Sequence, residues 1–528
     1  MMKVLVSDKL GEIGIKMFEK EEGISVDVKT GLTPEELKQI IGDYDALVIR
    51  SATKVTADLI DCAKKLKVIG RAGIGLDNVD IPAATKKGIV VMNTPGGNVV
   101  TTAEHAIAMM MSLTRNIPQG TASLKAGRWD KKKLQGREIM GKTLGIIGFG
   151  KIGSVVADRA RGLKMRVVIY DPIVQTRIIE KQGFEAVSLD QLYEESDYIT
   201  IHVPKNPNTI GMIGKDAFDK MKKGVMLINC ARGGIVDEAA LYDAMKSGKV
   251  AGAALDVFEV EPPPADHPLF TLDRLIATPH LGASTLEAQT NVAEDVARQI
   301  IEYLKNNNII NAVNVPAVSG KLLEKLRPFL RLAERMGCLH AQLTRGKIKE
   351  IQIEYIGDFM GLDLKPVSTA FVKGMLDILV GDGINSINAI ILAKEMGIMI
   401  SESHTSESRE FLNLIQARVI TDKSESTIAG TVFGKADARI VRIDDFRIEI
   451  IPEGHLALIH NLDKPGAIGS IGSTLGNHGI NISQMQVGME AGGEHNAILI
   501  RTDQPIPVEV RDELMGLDKV KNIKIFEL

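Results

Sequence analysis

The chain has 528 residues, 45% hydrophobic and 25% charged, with a formal net charge of −3. That length suits three or four domains with proper cores, and the near-neutral balance reads against a nucleic-acid binder or an acidic tail. Cys62, Cys230 and Cys338 lie far apart with no CxxC pair, so no zinc or other metal site and no disulfide framework is expected, and a reduced, cytoplasmic setting is.

Membrane association is not expected, because no apolar run approaches the ~18 residues that span a bilayer. The N-terminal MMKVLVSDKLGEIG turns polar too early for a signal peptide.

Over residues 2–99, MKVLVSD, SVDVKT, ALVIR, KVIGRAG and IVVMNTP read as buried strands alternating with helices. Thr33-Pro34-Glu35-Glu36 reads as a helix start, a capping box with proline at the first helical position. TTAEHAIAMMMSLTRN (101–116) reads as a long helix opened by a second capping box, Thr101 to Glu104, with its Met stripe in the core. GRWDKKKLQGREI (127–139) is polar and basic and carries the only Trp.

From residue 143 a second α/β series begins, with strands in TLGII, MRVVIYDP, YITIHVP, GVMLINC, AGAALDV and LIATPH. An amphipathic helix spans about 284–304, and INAVNVP (310–316) leaves this half. Residues 317–452 open with the amphipathic KLLEKLRPFLRLAERMGCLHAQL and end in strands around STIAGTVFG, DARIVRID and FRIEIIPEG, with no catalytic constellation. Residues 455–528 read βαββαβ, the ferredoxin-like order. The expected fold class is α/β: two doubly wound parallel-sheet, Rossmann-like domains, then an α+β intervening domain and a ferredoxin-like unit.

GFGKIG (148–153) is a GxGxxG. Its context makes it informative: a strand precedes it, the helix KIGSVVADRARG follows, and Asp171 ends the next strand, 18 residues past Gly153. Gly148 permits the tight turn, Gly150 lets backbone amides approach a pyrophosphate, and Gly153 lets helix and strand pack closely. The helix N-terminus offers unpaired N–H groups to the phosphates. A carboxylate at 171 accepts ribose hydroxyls and repels a 2′-phosphate, so NAD is expected rather than NADP.

Within NCARGGIVDE (229–238), Arg232 sits in a Gly-Gly turn after a core strand, where a cation needs an anion. Glu261 follows another buried strand in ALDVFEVEPPP, and His280 ends LIATPH. All three fall at carboxyl ends of strands, the ligand edge of an open α/β sheet. Each read singly is an ordinary surface or packing residue. Together they supply what hydride removal from a hydroxy acid needs. A histidine takes the hydroxyl proton, a carboxylate on its other ring nitrogen fixes the tautomer, and an arginine grips the substrate carboxylate.

IRSATKVTADLI, GRAGIGLDNVDI, VMNTPGGN, TLGIIGFGKIG, NCARGGIVDEAAL, AALDVFEVEPP and TPHLGAST, spread through residues 1–316, resemble the D-2-hydroxyacid dehydrogenases. The resemblance implies a discontinuous substrate domain (1–98 with 284–316), an NAD domain (99–283), an intervening domain (317–452) and a terminal regulatory domain (453–528). It makes His280 the acid/base, Glu261 its support and Arg232 the substrate-orienting group. It places Lys151, Ile152, Val203, Pro204, Cys230, Ala231, Asp256 and Gly282 beside the cofactor, along with the glycine turn, Asp171, Arg232 and His280. It brings Arg50, Arg71 and Asn98 to the substrate, the two arginines at a phosphate end.

Lys131, Lys132 and Lys133 would reach across a dimer interface or form a solvated charge run, and Ile74 stands where some relatives carry a hydroxyl. The function so implied is NAD-dependent oxidation of 3-phospho-D-glycerate to 3-phosphohydroxypyruvate, the first step of the phosphorylated L-serine pathway. An unphosphorylated acid, glycerate or hydroxypyruvate, is the alternative. A homodimer or homotetramer is expected.

HNLDKPGAIGSIGSTLGNHGINI resembles an ACT domain, an amino-acid-binding regulatory unit. Pro465 would start its helix, with Gly466 permitting close approach. Asp463 and Asn481 would hold an effector, with L-serine the expected one. Some serine-inhibited relatives carry His and Asn where this chain has Asn461 and Asp463.

Overall fold

The computed structural model describes residues 1–315, 320–359, 361–381, 383–406, 410–489 and 495–528. Pro316 of INAVNVP and the first residues of the third segment lie outside them.

The first sheet holds β1 (Met2–Val6), β2 (Ile24–Val28), β3 (Ala46–Ile49), β4 (Val68–Arg71) and β5 (Val90–Asn93), in the order β2-β1-β3-β4-β5. Every pairing is parallel. The capping box at Thr33 forms as read: the Glu36 amide donates to Thr33 Oγ1 at 3.3 Å, and Thr33 N–H donates to Glu36 Oε2 at 2.8 Å. One sheet face is covered by the helix Leu286–Asn306, whose Val292, Val296 and Ile300 join Val4, Val48 and Val90 in one core. A Cβ on Gly70 of β4 would lie 2.6 Å from Ile300 Cδ1, so the glycine admits the helix. An antiparallel bridge ties Met92 to Ala312.

The second sheet holds β6 (Thr143–Ile147), β7 (Arg166–Tyr170), β8 (Glu185–Ala186), β9 (Tyr198–Ile201), β10 (Val225–Asn229), β11 (Val250–Leu255) and β12 (Leu275–Ala277). Its order is β12-β11-β10-β9-β6-β7-β8, parallel throughout. The two-residue β8 is too short to leave a sequence pattern. The chain first steps outward from β6 to β7 and β8, then returns to β9 on the other side. The crevice of a doubly wound fold therefore opens beside β6 and β9, at their carboxyl ends.

The helix between the sheets runs Val99–Arg115 and has Asn98 as its N-cap, so the capping box expected at Thr101 does not form. The chain enters the helix directly from the turn after β5. Thr101 is therefore already within the first turn, where its hydroxyl lies 3.3 Å from that of Thr285. Met109 and Met110 are buried core residues, as expected.

The third sheet is mixed: β13 (Ile348–Gly357), β14 (Met399–Thr405), β15 (Asn413–Thr421), β16 (Glu425–Phe433), β17 (Asp437–Ile443) and β18 (Phe446–Ile450), in the order β14-β13-β15-β16-β17-β18. The fourth, antiparallel sheet holds β19 (His455–Leu462), β20 (Ile482–Met489), β21 (His495–Thr502) and β22 (Val520–Glu527), in the order β20-β21-β19-β22. One face of it, through Leu456, Leu499 and Phe526, continues the core of the third sheet. The other face packs on the helices Ala467–Asn477 and Val508–Met515.

Gly466, at φ 89°, is the N-cap of the helix Ala467–Asn477, so Pro465 precedes the helix rather than starting it. The left-handed backbone needed at the cap falls on the glycine.

Among the described residues no helix is long and apolar enough to cross a membrane.

Candidate active site

The glycine turn sits at the carboxyl end of β6, against the start of the helix Lys151–Gly162. Gly148 has φ 101°, and a Cβ there would lie 2.6 Å from the His202 carbonyl oxygen. Around a Cβ on Gly150 the space is open to 4 Å, which leaves its backbone face free for a phosphate. A Cβ on Gly153 would meet the Gly148 carbonyl oxygen at 2.0 Å. Tight turn, open approach and close packing are thus each realised by one glycine, and the residues present fit a dinucleotide.

Asp171 anchors the same loop: Phe149 N–H donates to it at 2.7 Å, Ile173 N–H at 2.7 Å and Val174 N–H at 2.8 Å. Lys151 Nζ reaches across to the Pro95 carbonyl at 3.4 Å, Ile152 packs on the nucleotide-side core, and Val203 lies beside Gly148. Pro204 accepts the Thr209 hydroxyl through its carbonyl at 2.6 Å. Burial holds the His202 imidazole neutral, pulled down to about 4.

His280 and Glu261 meet. Nδ1 of His280 is 2.7 Å from Glu261 Oε2, with both side chains partly exposed. Glu261 Oε1 also accepts the Phe258 amide at 3.1 Å. Burial works against the Glu261 charge, yet the hydrogen bond and charge of His280 hold its carboxyl below the usual range. An ionised carboxylate only accepts, so Nδ1 carries a proton, and in the neutral ring Nε2 is the base position.

The loop under His280 is held by Asp256, 1% exposed at the end of β11. Its carboxylate accepts Thr278 Oγ1 at 2.6 Å, Leu281 N–H at 2.7 Å and Gly282 N–H at 2.8 Å. Its carbonyl accepts the His280 amide at 2.9 Å, and His280 itself is in the left-handed region at φ 53°. Cys230 is buried nearby, its thiol pushed up by burial.

Arg232 finds its anion within the chain: Nε donates to Asp77 Oδ2 at 2.8 Å, and Nη1 to the Ala231 carbonyl at 2.7 Å. Arg71 converges from β4, donating through Nε to the Arg50 carbonyl at 3.2 Å and through Nη1 to the Gly75 carbonyl. Burial first, then the neighbouring Arg232 charge, lowers the Arg71 guanidinium to about 10. The Arg50 amide donates to Asp8 Oδ2 at 2.6 Å, and its guanidinium reaches the Lys9 carbonyl at 3.3 Å. Asn98 Oδ1 is buried without a hydrogen-bond partner among the described residues. Asn93 donates to the Ile74 carbonyl at 2.6 Å.

Asp77, Asp8 and His105 were not singled out from the sequence. Asp77 stands in the quoted GRAGIGLDNVDI, but its partner is 155 residues away. His105 sits in the helical stripe, and only the fold shows it facing Asp256. Lys131–Lys133 form one short 3-10 turn whose side chains are exposed. In the terminal unit Asp463 and Asn481 are exposed, while Asn461 is buried with Oδ1 unpartnered among the described residues.

A glycine-turn nucleotide fold with a Glu-oriented His at its crevice defines an NAD-dependent dehydrogenase. Residues 107–282 match the family described as D-isomer specific 2-hydroxyacid dehydrogenase, NAD binding domain. Residues 325–444 match the D-3-phosphoglycerate dehydrogenase intervening domain. The chain is 44% identical over 530 residues to D-3-phosphoglycerate dehydrogenase of Archaeoglobus fulgidus, covering 100% of both chains. It is 44% identical to that of Methanocaldococcus jannaschii over 529 residues, again 100% of each. Among solved structures it resembles NAD-dependent formate dehydrogenase from Staphylococcus aureus in complex with NAD, with TM-score 0.53 and 33% identity over 59% of this chain and 98% of that one. The chain belongs to the D-3-phosphoglycerate dehydrogenase family.

Proposed function

We propose that the chain oxidises 3-phospho-D-glycerate to 3-phosphohydroxypyruvate with NAD, opening a phosphorylated route to L-serine. The observation that carries this is the 2.7 Å His280–Glu261 pair at the mouth of a nucleotide crevice, with Arg232 and Arg71 facing each other nearby. His280 Nε2 accepts the substrate hydroxyl proton, and the imidazolium formed is stabilised by Glu261. Arg232 holds the substrate carboxylate, Arg50 and Arg71 take the phosphate, and the buried, unpartnered Asn98 Oδ1 is available as a further acceptor. The chemistry supplied by bound NAD is acceptance of the hydride. Arg232, Ala231 and Cys230 at the end of β10, and Gly282 on the Asp256-held loop, border its seat.

In this reading 1–98 with 284–316 carries the substrate and 99–283 the nucleotide. The intervening segment 317–452 and the ACT-like 453–528 are regulatory, with L-serine as effector at Asp463 and Asn481. The enzyme works in the cytoplasm as a dimer or tetramer. The core shared between the third and fourth sheets supports a joint response of the two terminal units.

The test is kcat/KM for 3-phosphohydroxypyruvate against unphosphorylated hydroxypyruvate, followed as NADH oxidation. A preference of ~10³ or more is expected, the ~4 kcal/mol that two charged phosphate contacts supply. Comparable rates would transfer the function to an unphosphorylated hydroxy acid.

A further inference from the structure

Arg232 and Asp77 come from opposite walls of the cleft. Arg232 follows β10 of the nucleotide-side sheet, and Asp77 lies in the loop after β4 of the other sheet. The pairing uses Nε alone, at 2.8 Å, while Nη1 is turned back to the Ala231 carbonyl. Nη2 occupies the space beside Gly75 that a side chain would take, 1.7 Å from where a Cβ would stand. The carbonyl of the same glycine takes Arg71 Nη1. One turn, Gly75 to Asp77, therefore seats two guanidinium groups of like charge and places a carboxylate on one of them.

A flexible arginine beside another cation would otherwise swing away from it. With Nε tethered and one Nη1 N–H on the Ala231 carbonyl, the rotation of the guanidinium plane is set before any ligand arrives, and the second Nη1 N–H and the Nη2 N–H groups remain for a carboxylate. Burial opposes the Asp77 charge, but Arg232 and then Arg71 keep the carboxyl below its usual range, so the tether is ionised at neutral pH.

We infer that Asp77 is a positioning residue for substrate binding, which spans the cleft and pre-orients Arg232 to receive the substrate carboxylate. The inference rests on Arg232 being the carboxylate-binding group, as proposed above. Asp77 acts through Arg232 and not on the reacting atoms, so its loss falls on substrate affinity and leaves proton transfer alone.

The experiment is a double-mutant cycle on the full chain, read as KM and kcat for 3-phosphohydroxypyruvate and KM for NADH, with Tm as a folding control. Asp77→Ala raises the substrate KM by about tenfold or more, with kcat, its pH profile and the NADH KM held within about twofold. Asp77→Asn, which keeps an acceptor oxygen, falls between. Arg232→Gln raises the substrate KM further, and adding Asp77→Ala to it changes nothing more, because the orienting group has lost its object. Gly75→Ala, which displaces Nη2 without changing any charge, reproduces the KM effect.

An unchanged substrate KM in Asp77→Ala overturns the inference, as do additive effects in the double variant. If Asp77→Ala does not fold, an unchanged substrate KM in Asp77→Asn and Gly75→Ala together overturns it. A normal substrate KM in Arg232→Gln is a different failure, that of the carboxylate role assigned to Arg232.

Discussion

Nε2 of His105 lies 3.1 Å from Oδ1 of Asp256, joining the helix between the two sheets to the loop that carries His280. Asp256 is otherwise occupied by the Thr278 hydroxyl and the Leu281 and Gly282 amides, so one buried carboxylate sets the backbone on both sides of His280.

Asp256→Asn loses charge-assisted bonds and leaves buried donors poorly matched, which should cost about 2–4 kcal/mol in denaturant unfolding at pH 7. Burial opposes the Asp256 charge, but His105, Thr278 and the Leu281 amide hold its folded pKa below the unfolded value. A depressed folded pKa means stabilisation that is complete above the unfolded value of about 3.9 and is lost as pH falls through the folded one. The stability gap between wild type and Asp256→Asn should therefore shrink below about pH 4. A gap constant from pH 7 to pH 3 would remove Asp256 as the charged anchor.

Turnover tests the pair at the crevice mouth. His280→Asn should lower kcat by ~10²–10⁴, the loss that follows removal of a general acid/base. Glu261→Gln should cost less, about 10–10², because the histidine remains but its tautomer is no longer held by a carboxylate. Near-normal kcat in His280→Asn, measured by NADH absorbance, would exclude it as the acid/base.

Cofactor choice tests Asp171. Asp171→Ala removes the proposed ribose acceptor together with the anchor of the Phe149, Ile173 and Val174 amides. The ratio of kcat/KM for NADH over NADPH should fall by about tenfold or more. An unchanged ratio with both values lowered equally would leave Asp171 a loop anchor only.

Two buried histidines make stability depend on pH in a window separate from the carboxylates. His202 and His340 are each held near 4 by burial, against about 6.5 in the unfolded chain. Between those values the unfolded chain binds more protons, so stability rises with pH across the window and is fully present above about 6.5. His340 donates from Nε2 to the Ala417 carbonyl (3.1 Å), and its Nδ1 lies 3.2 Å from the Ser426 hydroxyl, which can donate to the neutral ring that burial favours. The His202→Gln, His340→Gln double variant should show a flatter Tm between pH 4 and 6.5. A wild-type slope in that variant would place the dependence elsewhere.

Much of the fold and the site was legible before any coordinates. Strands β1, β3, β4 and β5 announce themselves as short apolar runs, because a parallel strand covered on both faces needs apolar side chains on each, whereas β2, read as buried, is an edge strand whose Asp27 and Val28 are exposed. Thr33 and Pro34 announce a helix because a cap is satisfied within three residues. The glycine turn was readable because each glycine answers a purely local demand. Arg232, Glu261 and His280 stood out as polar residues at the ends of buried strands. The two-residue β8 left no periodicity, and Thr101 mimicked a cap that Asn98 fills, since a capping-box pattern does not reveal where the preceding turn releases the chain.

The sequence by itself determined most of the segments that become strands and helices, where the nucleotide turn lies and which polar side chains stand at the carboxyl ends of buried strands. Each of these follows from period-2 or period-3.6 burial or from contacts a few residues long. Tertiary structure alone decided that Asp77 meets Arg232 and His105 meets Asp256. It decided that the helix Leu286–Asn306 returns to the first sheet, and that the third and fourth sheets share one core. Asp77 and Arg232 lie 155 positions apart in the chain, and His105 and Asp256 lie 151 apart. Over such separations local propensity is silent, and only the packing of whole sheets and helices brings the charges together.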